Sequence, residues 1–195
     1  YLSDAGWYMT MVQPWATMFV LPAIIAMLGS YMICREEQDD TLKSLLIVPV
    51  NETVLTAAKM IVTFVLSVLI YLLLFIITLI VELVLHYSDL SIAMVLSFFK
   101  SYLLEGIGVF LAISPIIAFV SYTKKSYWLA LLLAEIYSFA GLFMSMSNLT
   151  KTFYTITALL GVAGYYETTT ANLIGSISIL LLCGGLAVFI LVWHR

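Results

Sequence analysis

Long runs without a charged residue constrain this chain more than any other feature. A transmembrane helix needs about 20 apolar residues to cross a hydrocarbon layer of roughly 30 Å. Five runs of about that length occur in the 195 residues, and only one of them contains an acid. The runs cover residues 14–34, 60–81, 106–123, 127–146 and 168–193. The pattern predicts an all-α, polytopic transmembrane helical bundle with five spans, in which residues 1–195 form a single membrane domain.

The composition supports lipid as the solvent of this chain. Hydrophobic residues make up 64% of the sequence and charged residues 10%, whereas soluble domains carry about 25% charged residues. A soluble core of this size cannot bury so much apolar surface. The net charge is −3, and the 8 Lys and Arg residues form no basic face, so nucleic-acid binding is not expected.

Two stretches do not fit a simple crossing. The apolar region 91–122 is too long for one span, so we expect Lys100 and Glu105 to divide it, with the true span starting near Tyr102 and kinked at Pro115. The apolar stretch 153–165 is too short to cross and predicts a re-entrant or interfacial external segment.

The distribution of Lys and Arg predicts the orientation, because basic residues concentrate on the cytoplasmic side. Six of the 8 basic residues fall on one side if residues 35–59 are cytoplasmic. These six are Arg35, Lys43, Lys59, Lys124, Lys125 and Arg195. Residues 1–12 then lie outside, and because the chain begins with Tyr1 we expect one further helix before it, missing from this N-terminally truncated sequence.

The connector between the first two runs has an unusual pattern, REEQDDTLKSLLIVPVNETVLTAAK at residues 35–59. The acids at 36–40 precede Thr41, whose hydroxyl can cap a helix start that negative charge also favours. Leucines then recur at the spacing of one helical face, and Pro49 stops the helix. The pattern predicts a short amphipathic cytoplasmic helix, although a solvated loop lying on the lipid headgroups is an alternative.

The same connector resembles a known family. The pattern E-x-x-D-D-T-L-K-S-L-L-I-V-P-V followed by T-A-A-K is similar to the cytoplasmic loop of ABC transporter type 2 permeases, in particular the bacitracin and lantibiotic immunity subgroup. The resemblance implies a coupling helix that docks in a groove of a separate ATPase subunit. The implied ATPase-coupling residues are Glu37, Thr41, Leu42, Lys43, Leu45, Leu46, Pro49 and Lys59. The sequence departs from the family at Asn51-Glu52, where relatives often have Ser-Arg.

The resemblance also implies that the chain is one subunit of a transporter complex in the bacterial plasma membrane. It implies six spans per subunit, a dimer with a second copy or a similar permease, and two ATPase subunits that bind ATP and Mg. It further implies export of an antimicrobial peptide such as bacitracin or a lantibiotic, which gives immunity. The sequence contains no G-x-x-x-x-G-K-[ST] phosphate cradle, so this chain is expected to be a transport subunit, with hydrolysis on the partner.

Three glutamates lie within or near the spans and are candidate substrate-pathway residues. Glu82 and Glu105 lie toward the outer ends of their spans, where snorkelling to water is the expected alternative to a functional role. Glu135 lies deeper, about 12 Å from Tyr127 by helix rise, and could face a cavity, pair with a neighbouring helix or bind a cationic part of a peptide cargo. His86 is expected at the membrane interface, and no metal site is predicted.

Two other functions are compatible with these residues. An ion- or proton-coupled carrier would use Glu82, Glu105 or Glu135 as a relay and would work without an ATPase. A non-transporting membrane scaffold would bind a cytoplasmic partner through the connector. The sequence leaves open the cargo, the direction of transport and whether the dimer is homomeric.

Overall fold

The computed structural model describes residues 5–38, 52–123 and 127–193. These three ranges are almost entirely helical and contain no strand. A five-residue π-helical turn, Ala16–Val20, joins the first helix to the second. The α-helices are α1 Trp7–Trp15, α2 Leu21–Gln38, α3 Glu52–His86, α4 Ile92–Thr123, α5 Trp128–Met144, α6 Asn148–Phe153, α7 Thr155–Val162 and α8 Thr170–Trp193.

Within the described ranges, four helical stretches are long and apolar enough to cross a membrane. They are Trp7–Arg35, Val54–His86, Ile92–Val120 and Thr170–Trp193. The prediction of a multi-pass helical protein is therefore confirmed, and four of the five predicted runs fall in these stretches. The fifth run forms α5, which is apolar but has only 17 residues, about 26 Å at the rise of an α-helix. A crossing by α5 stays a prediction.

Lys100 and Glu105 do not interrupt the helix in region 91–122 as predicted, whereas a span that starts near Tyr102 stays a prediction. α4 runs without interruption for 32 residues and passes through both Lys100 and Glu105, with Pro115 inside it. Neither charged residue breaks a helix by itself. Glu105 also needs no exit to water, because other helices supply the partners of its carboxylate, as described below.

The region after α5 folds into two short helices rather than one span. Its second helix, α7, is buried almost completely. The chain leaves α7 through Gly164, whose φ of +86° favours glycine, and the amide of Tyr165 donates to the carbonyl of Leu160 at 2.9 Å. This closure has the form of a Schellman motif. With 6 and 8 residues, neither helix is long enough to cross a membrane. The predicted re-entrant or interfacial position of this segment stays a prediction.

α4 lies at the centre of the bundle and packs against α2, α3, α5, α7 and α8. Its buried side includes Val109, Ile113 and Ile117, which are not exposed at all. α3 and α8 instead present long rows of exposed aliphatic side chains. We call the side where α2 ends and α3 begins the connector end, and the opposite side, where α3 ends and α4 begins, the far end.

α3 and α4 approach each other closely at Gly106. A Cβ atom placed there would lie 3.1 Å from the Cα of Val68 and 3.2 Å from the Cβ of Tyr71. The hydroxyl of Ser67 donates to the carbonyl of Gly106 at 2.7 Å. Small residues permit such close contacts between membrane helices, and interhelical hydrogen bonds strengthen them. The position of Gly106 therefore sets the distance between the two helices beside Glu105.

We predict that Gly106→Ala lowers the free energy of unfolding by about 1–3 kcal/mol, because the new methyl group meets backbone that cannot move away easily. Gly185→Ala is the matched control. A Cβ at Gly185 has no heavy atom within 4 Å, so its effect should stay within about 0.5 kcal/mol. Unfolding of both variants in mixed micelles measures the difference, and equal effects would contradict the proposed close contact.

Candidate functional site

Glu105 lies in α4, and its carboxyl group is at the centre of a buried polar cluster. The side chain has no exposed surface. Its Oε1 accepts a hydrogen bond from Nε2 of Gln13 at 2.5 Å, and its Oε2 accepts one from Oγ1 of Thr17 at 3.0 Å. Gln13 and Thr17 are themselves buried. One glutamate thus fixes the first candidate transmembrane segment, Trp7–Arg35, to α4 at two points that lie four residues apart. We call this stretch the first segment.

One tyrosine extends the cluster, and a second bonds the first segment one turn away from it. The hydroxyl of Tyr71, in α3, donates to Oγ1 of Thr17 at 3.1 Å. The hydroxyl of Tyr102, one turn before Glu105 in α4, donates to the carbonyl of Met9 at 3.1 Å. Both rings are completely buried. Side chains from the first segment, α3 and α4 therefore meet in one hydrogen-bonded network, which we call the Glu105 network.

The first segment departs from α-helical geometry where it joins this network. Thr17 lies in the π-helical turn, and such turns occur frequently at functional sites. Pro14 and Pro22 flank the turn. Because proline has no amide hydrogen, the carbonyls of Thr10 and Met18 lose their usual helical donors. Between these two prolines the hydrogen bonding shifts by one residue, and the amide of Leu21 donates to the carbonyl of Ala16.

No Lys, Arg or His in the described ranges forms an ion pair with Glu105. All the partners of its carboxylate are neutral donors. An ionisable group that lies within a membrane span and faces other helices is expensive to retain and is by default a candidate for function. The Glu105 network, placed at the one irregular turn of the first segment, is therefore the strongest candidate site in the described part of the chain.

The expectation that Glu82 and Glu105 snorkel to water is wrong, because both are fully buried. Glu82 accepts hydrogen bonds from the amides of Gly6 at 2.6 Å and Tyr8 at 3.2 Å. These amides lie at the start of α1, where free N–H groups and the helix dipole attract a carboxylate. His86, expected at the interface, is also buried, and its Nδ1 lies 2.7 Å from Oε1 of Glu82.

The third acid, Glu135, belongs to neither group. It is partly buried in α5, and its predicted role in a substrate pathway stays a prediction. The structure thus does not unite the three predicted acids in one site. It ties Glu82 to the start of α1 and Glu105 to the π-helical turn.

Most of the predicted ATPase-coupling residues lie outside the described residues. These are Thr41, Leu42, Lys43, Leu45, Leu46 and Pro49. Glu37 lies in the last turn of α2 and Lys59 in the second turn of α3, so both flank the connector. Their role in coupling stays a prediction.

Sequence reasoning missed the partners of Glu105. Gln13 and Thr17 carried a usable signal, because two polar residues four positions apart in an apolar helix share one face. Tyr71 carried a weaker one, as a tyrosine in the middle of a span. Nothing in the sequence indicated that these three residues would meet Glu105.

We predict that Glu105→Ala lowers the free energy of unfolding by about 1–3 kcal/mol, because Gln13 and Thr17 lose their acceptors in a buried site. Glu105→Gln should cost less, since its amide oxygen still accepts one bond. Glu135→Ala is the matched control, an acid in another apolar helix, and should change stability by no more than about 0.5 kcal/mol. Unfolding in mixed micelles provides the comparison, and equal losses for Glu105→Ala and Glu135→Ala would contradict the network.

Glu82→Ala should release the start of α1. We expect amide hydrogen exchange at residues 6–10 to become about fivefold faster or more, because the loss of a capping acceptor costs on the order of 1 kcal/mol or more. Glu167→Ala, beyond α7, serves as the control. Unchanged exchange at residues 6–10 in Glu82→Ala would show that the carboxylate does not hold the helix.

Comparison with known proteins gives one match. A family model described as ABC-2 family transporter protein matches residues 1–141. The matched region includes the connector, the π-helical turn and the three candidate pathway residues Glu82, Glu105 and Glu135. No curated protein and no solved structure matches the chain.

Proposed function

The chain belongs to the ABC-2 family of transporter proteins, and from this premise we propose that it is the membrane-spanning permease subunit of an ATP-driven exporter. The observation that carries the proposal is the family match over residues 1–141. ATP hydrolysis takes place on separate ABC ATPase subunits, which bind ATP and Mg. This chain contributes the transmembrane pathway and the surface through which those subunits act.

The proposed coupling element is the predicted amphipathic helix in the connector. Its leucines, Leu42, Leu45 and Leu46, share one face and would fill an apolar groove on the ATPase, as in other helix-in-groove contacts. The connector lies between α2 and α3 in the chain. Closure of the ATPase subunits would therefore apply force to both helices at their adjoining ends.

The contacts inside the membrane support a path from the connector to the Glu105 network. α2 continues into the π-helical turn that carries Thr17, and α3 carries Tyr71, which donates to Thr17. A tilt of α2 relative to α3 would change the Tyr71–Thr17 and Thr17–Glu105 hydrogen bonds. In our proposal these bonds differ between the inward- and outward-open states, and the loosened turn between Pro14 and Pro22 permits the change.

The proposed cargo is a peptide-like molecule, with antimicrobial peptides such as bacitracin or lantibiotics as the first candidates. The resemblance of the connector to the immunity subgroup supports this choice. Glu135, as a partly buried acid, is suited to contact a cationic part of such a peptide. The proposal places the protein in the bacterial plasma membrane.

A second permease subunit would complete the pathway. The exposed aliphatic faces of α3 and α8 flank a groove of ≈ 510 Å³, which Phe64, Phe110 and Val188 help to line. An apolar groove of this size supports contact with another helix or with lipid.

The coupling role predicts that Leu45→Asp together with Leu46→Asp lowers permease-stimulated ATP hydrolysis by at least about tenfold, because two carboxylates would enter an apolar interface. The full-length protein is reconstituted with its ATPase, and binding, hydrolysis and peptide efflux are measured. Asn51→Asp is the control, since it adds a negative charge to the connector outside the leucine face. Normal membrane insertion of every variant is verified first.

Each alternative function gives a different result in this experiment. Unchanged ATPase docking in the double variant would overturn the coupling role. Transport driven by a pH gradient without ATP, and lost in Glu105→Gln, would identify an ion-coupled carrier. ATPase binding without stimulated hydrolysis or transport in the unmodified protein would identify a scaffold.

A further inference from the structure

A second cavity lies at the far end, away from the connector. Its volume is ≈ 380 Å³, and it lies between the π-helical turn, the end of α5 and the α6–α7 segment. It is lined by Pro14, Trp15, Met18 and Phe19 from the first segment, and by Lys151 and Tyr166 from the region after α5. The Glu105 network does not include any of these residues. We call this space the far-end cavity.

The cavity contains a positively charged group that is held in place. Nζ of Lys151 lies 3.6 Å from the centre of the Tyr166 ring, a distance typical of a cation–π contact. Thr157 anchors both partners, because its hydroxyl donates to the carbonyl of Lys151 at 3.0 Å and its carbonyl accepts a hydrogen bond from the hydroxyl of Tyr166. The backbone of Lys151 and the ring of Tyr166 are thus held together, and the ring contact places the ammonium group at the cavity.

Within the described ranges no carboxylate forms an ion pair with Lys151. The aromatic ring covers one side of the ammonium group and leaves its N–H donors available to an anion. Lysine is a common ligand of phosphate groups in proteins. The charge at this end of the cavity therefore favours a small anionic group.

The rest of the cavity is suited to a hydrocarbon chain. Trp15, Met18, Phe19 and Leu142 contribute apolar walls, and Trp15 stacks on Phe19 with ring centres 5.5 Å apart. Trp15 is 66% exposed, so the cavity borders the surface of the bundle.

These observations lead us to propose that the far-end cavity binds an anionic phospholipid, with its phosphate on Lys151 and part of an acyl chain against Trp15 and Phe19. A lipid fits better than free phosphate because the cation opens onto an apolar wall. The inference does not depend on an ATPase partner or a peptide cargo.

The position of the site links it to the Glu105 network. Trp15 and Met18 face the cavity, whereas Gln13 and Thr17, on the same turn, bond Glu105. A lipid in the cavity therefore packs against the helical turn that the proposed transport cycle must move. Bound lipid would restrain this turn.

The test uses the tryptophan that lines the cavity as a reporter. The full-length protein carrying Trp7→Phe, Trp128→Phe and Trp193→Phe is reconstituted into phosphatidylcholine nanodiscs and is checked for helicity and monodispersity. Quenching of Trp15 is then measured with brominated phosphatidic acid and with brominated phosphatidylcholine at equal mole fractions. We expect about fivefold stronger association of the anionic lipid, the effect of one lysine near an anionic phosphate.

Three further variants locate the charge responsible. In Lys151→Gln the preference should fall to about one, and in Lys151→Arg it should persist. Lys100→Gln is the matched control, because Lys100 is an exposed lysine of α4 that does not line the cavity, and it should keep the full preference.

Several results would overturn the proposal. Equal quenching by the two lipids, or an undiminished preference in Lys151→Gln, would show that no anionic lipid binds at this lysine. Loss of the preference in Lys100→Gln would indicate a general surface charge effect. Displacement of the brominated phosphatidic acid by millimolar inorganic phosphate would identify the site as one for free phosphate rather than lipid.

Discussion

The buried carboxylate of Glu105 determines how the transmembrane segments of this protein come together. Hydrocarbon supplies no hydrogen-bond donors, so a polar group at this depth must find its partners within the protein. Gln13 and Thr17 supply them from the first segment, and Tyr71 joins from α3 through Thr17. Gly106, the next residue, allows α3 to approach closely enough for this geometry. The arrangement of three segments thus depends on the hydrogen bonding of one buried carboxyl group.

The same requirement operates at the far end, with backbone amides as the donors. Glu82 accepts the amides of Gly6 and Tyr8 and thereby connects the start of α1 to the end of α3. The first segment is consequently fixed at its start by Glu82 and at Gln13 and Thr17 by Glu105. At Thr17 its hydrogen bonding changes from α-helical to π-helical. A segment that is fixed at specific points and irregular between them is suited to shift between two arrangements, as transport requires.

Membership of the ABC-2 family gives these contacts a functional meaning. α2 and α3 lie on either side of the connector in the chain, and the π-helical turn before α2 meets α3 at the Glu105 network inside the bundle. Force applied at the connector would therefore reach the buried carboxylate through two helices. The far-end cavity lies on the other face of the same π-helical turn, so a bound lipid would act on the element that the connector moves.

The sequence by itself determined the helical membrane fold, because runs of about 20 apolar residues have few other stable forms. It also indicated the family, through the pattern from Glu37 to Pro49, and predicted that the stretch after α5 is too short to cross. It did not predict the unbroken α4, the burial of Glu82 and Glu105, or the Glu105 network. The sequence reports only local spacing, whereas the buried carboxyl groups of Glu82 and Glu105 bond donors more than 70 positions away in the chain. Tertiary structure alone brings those donors into contact.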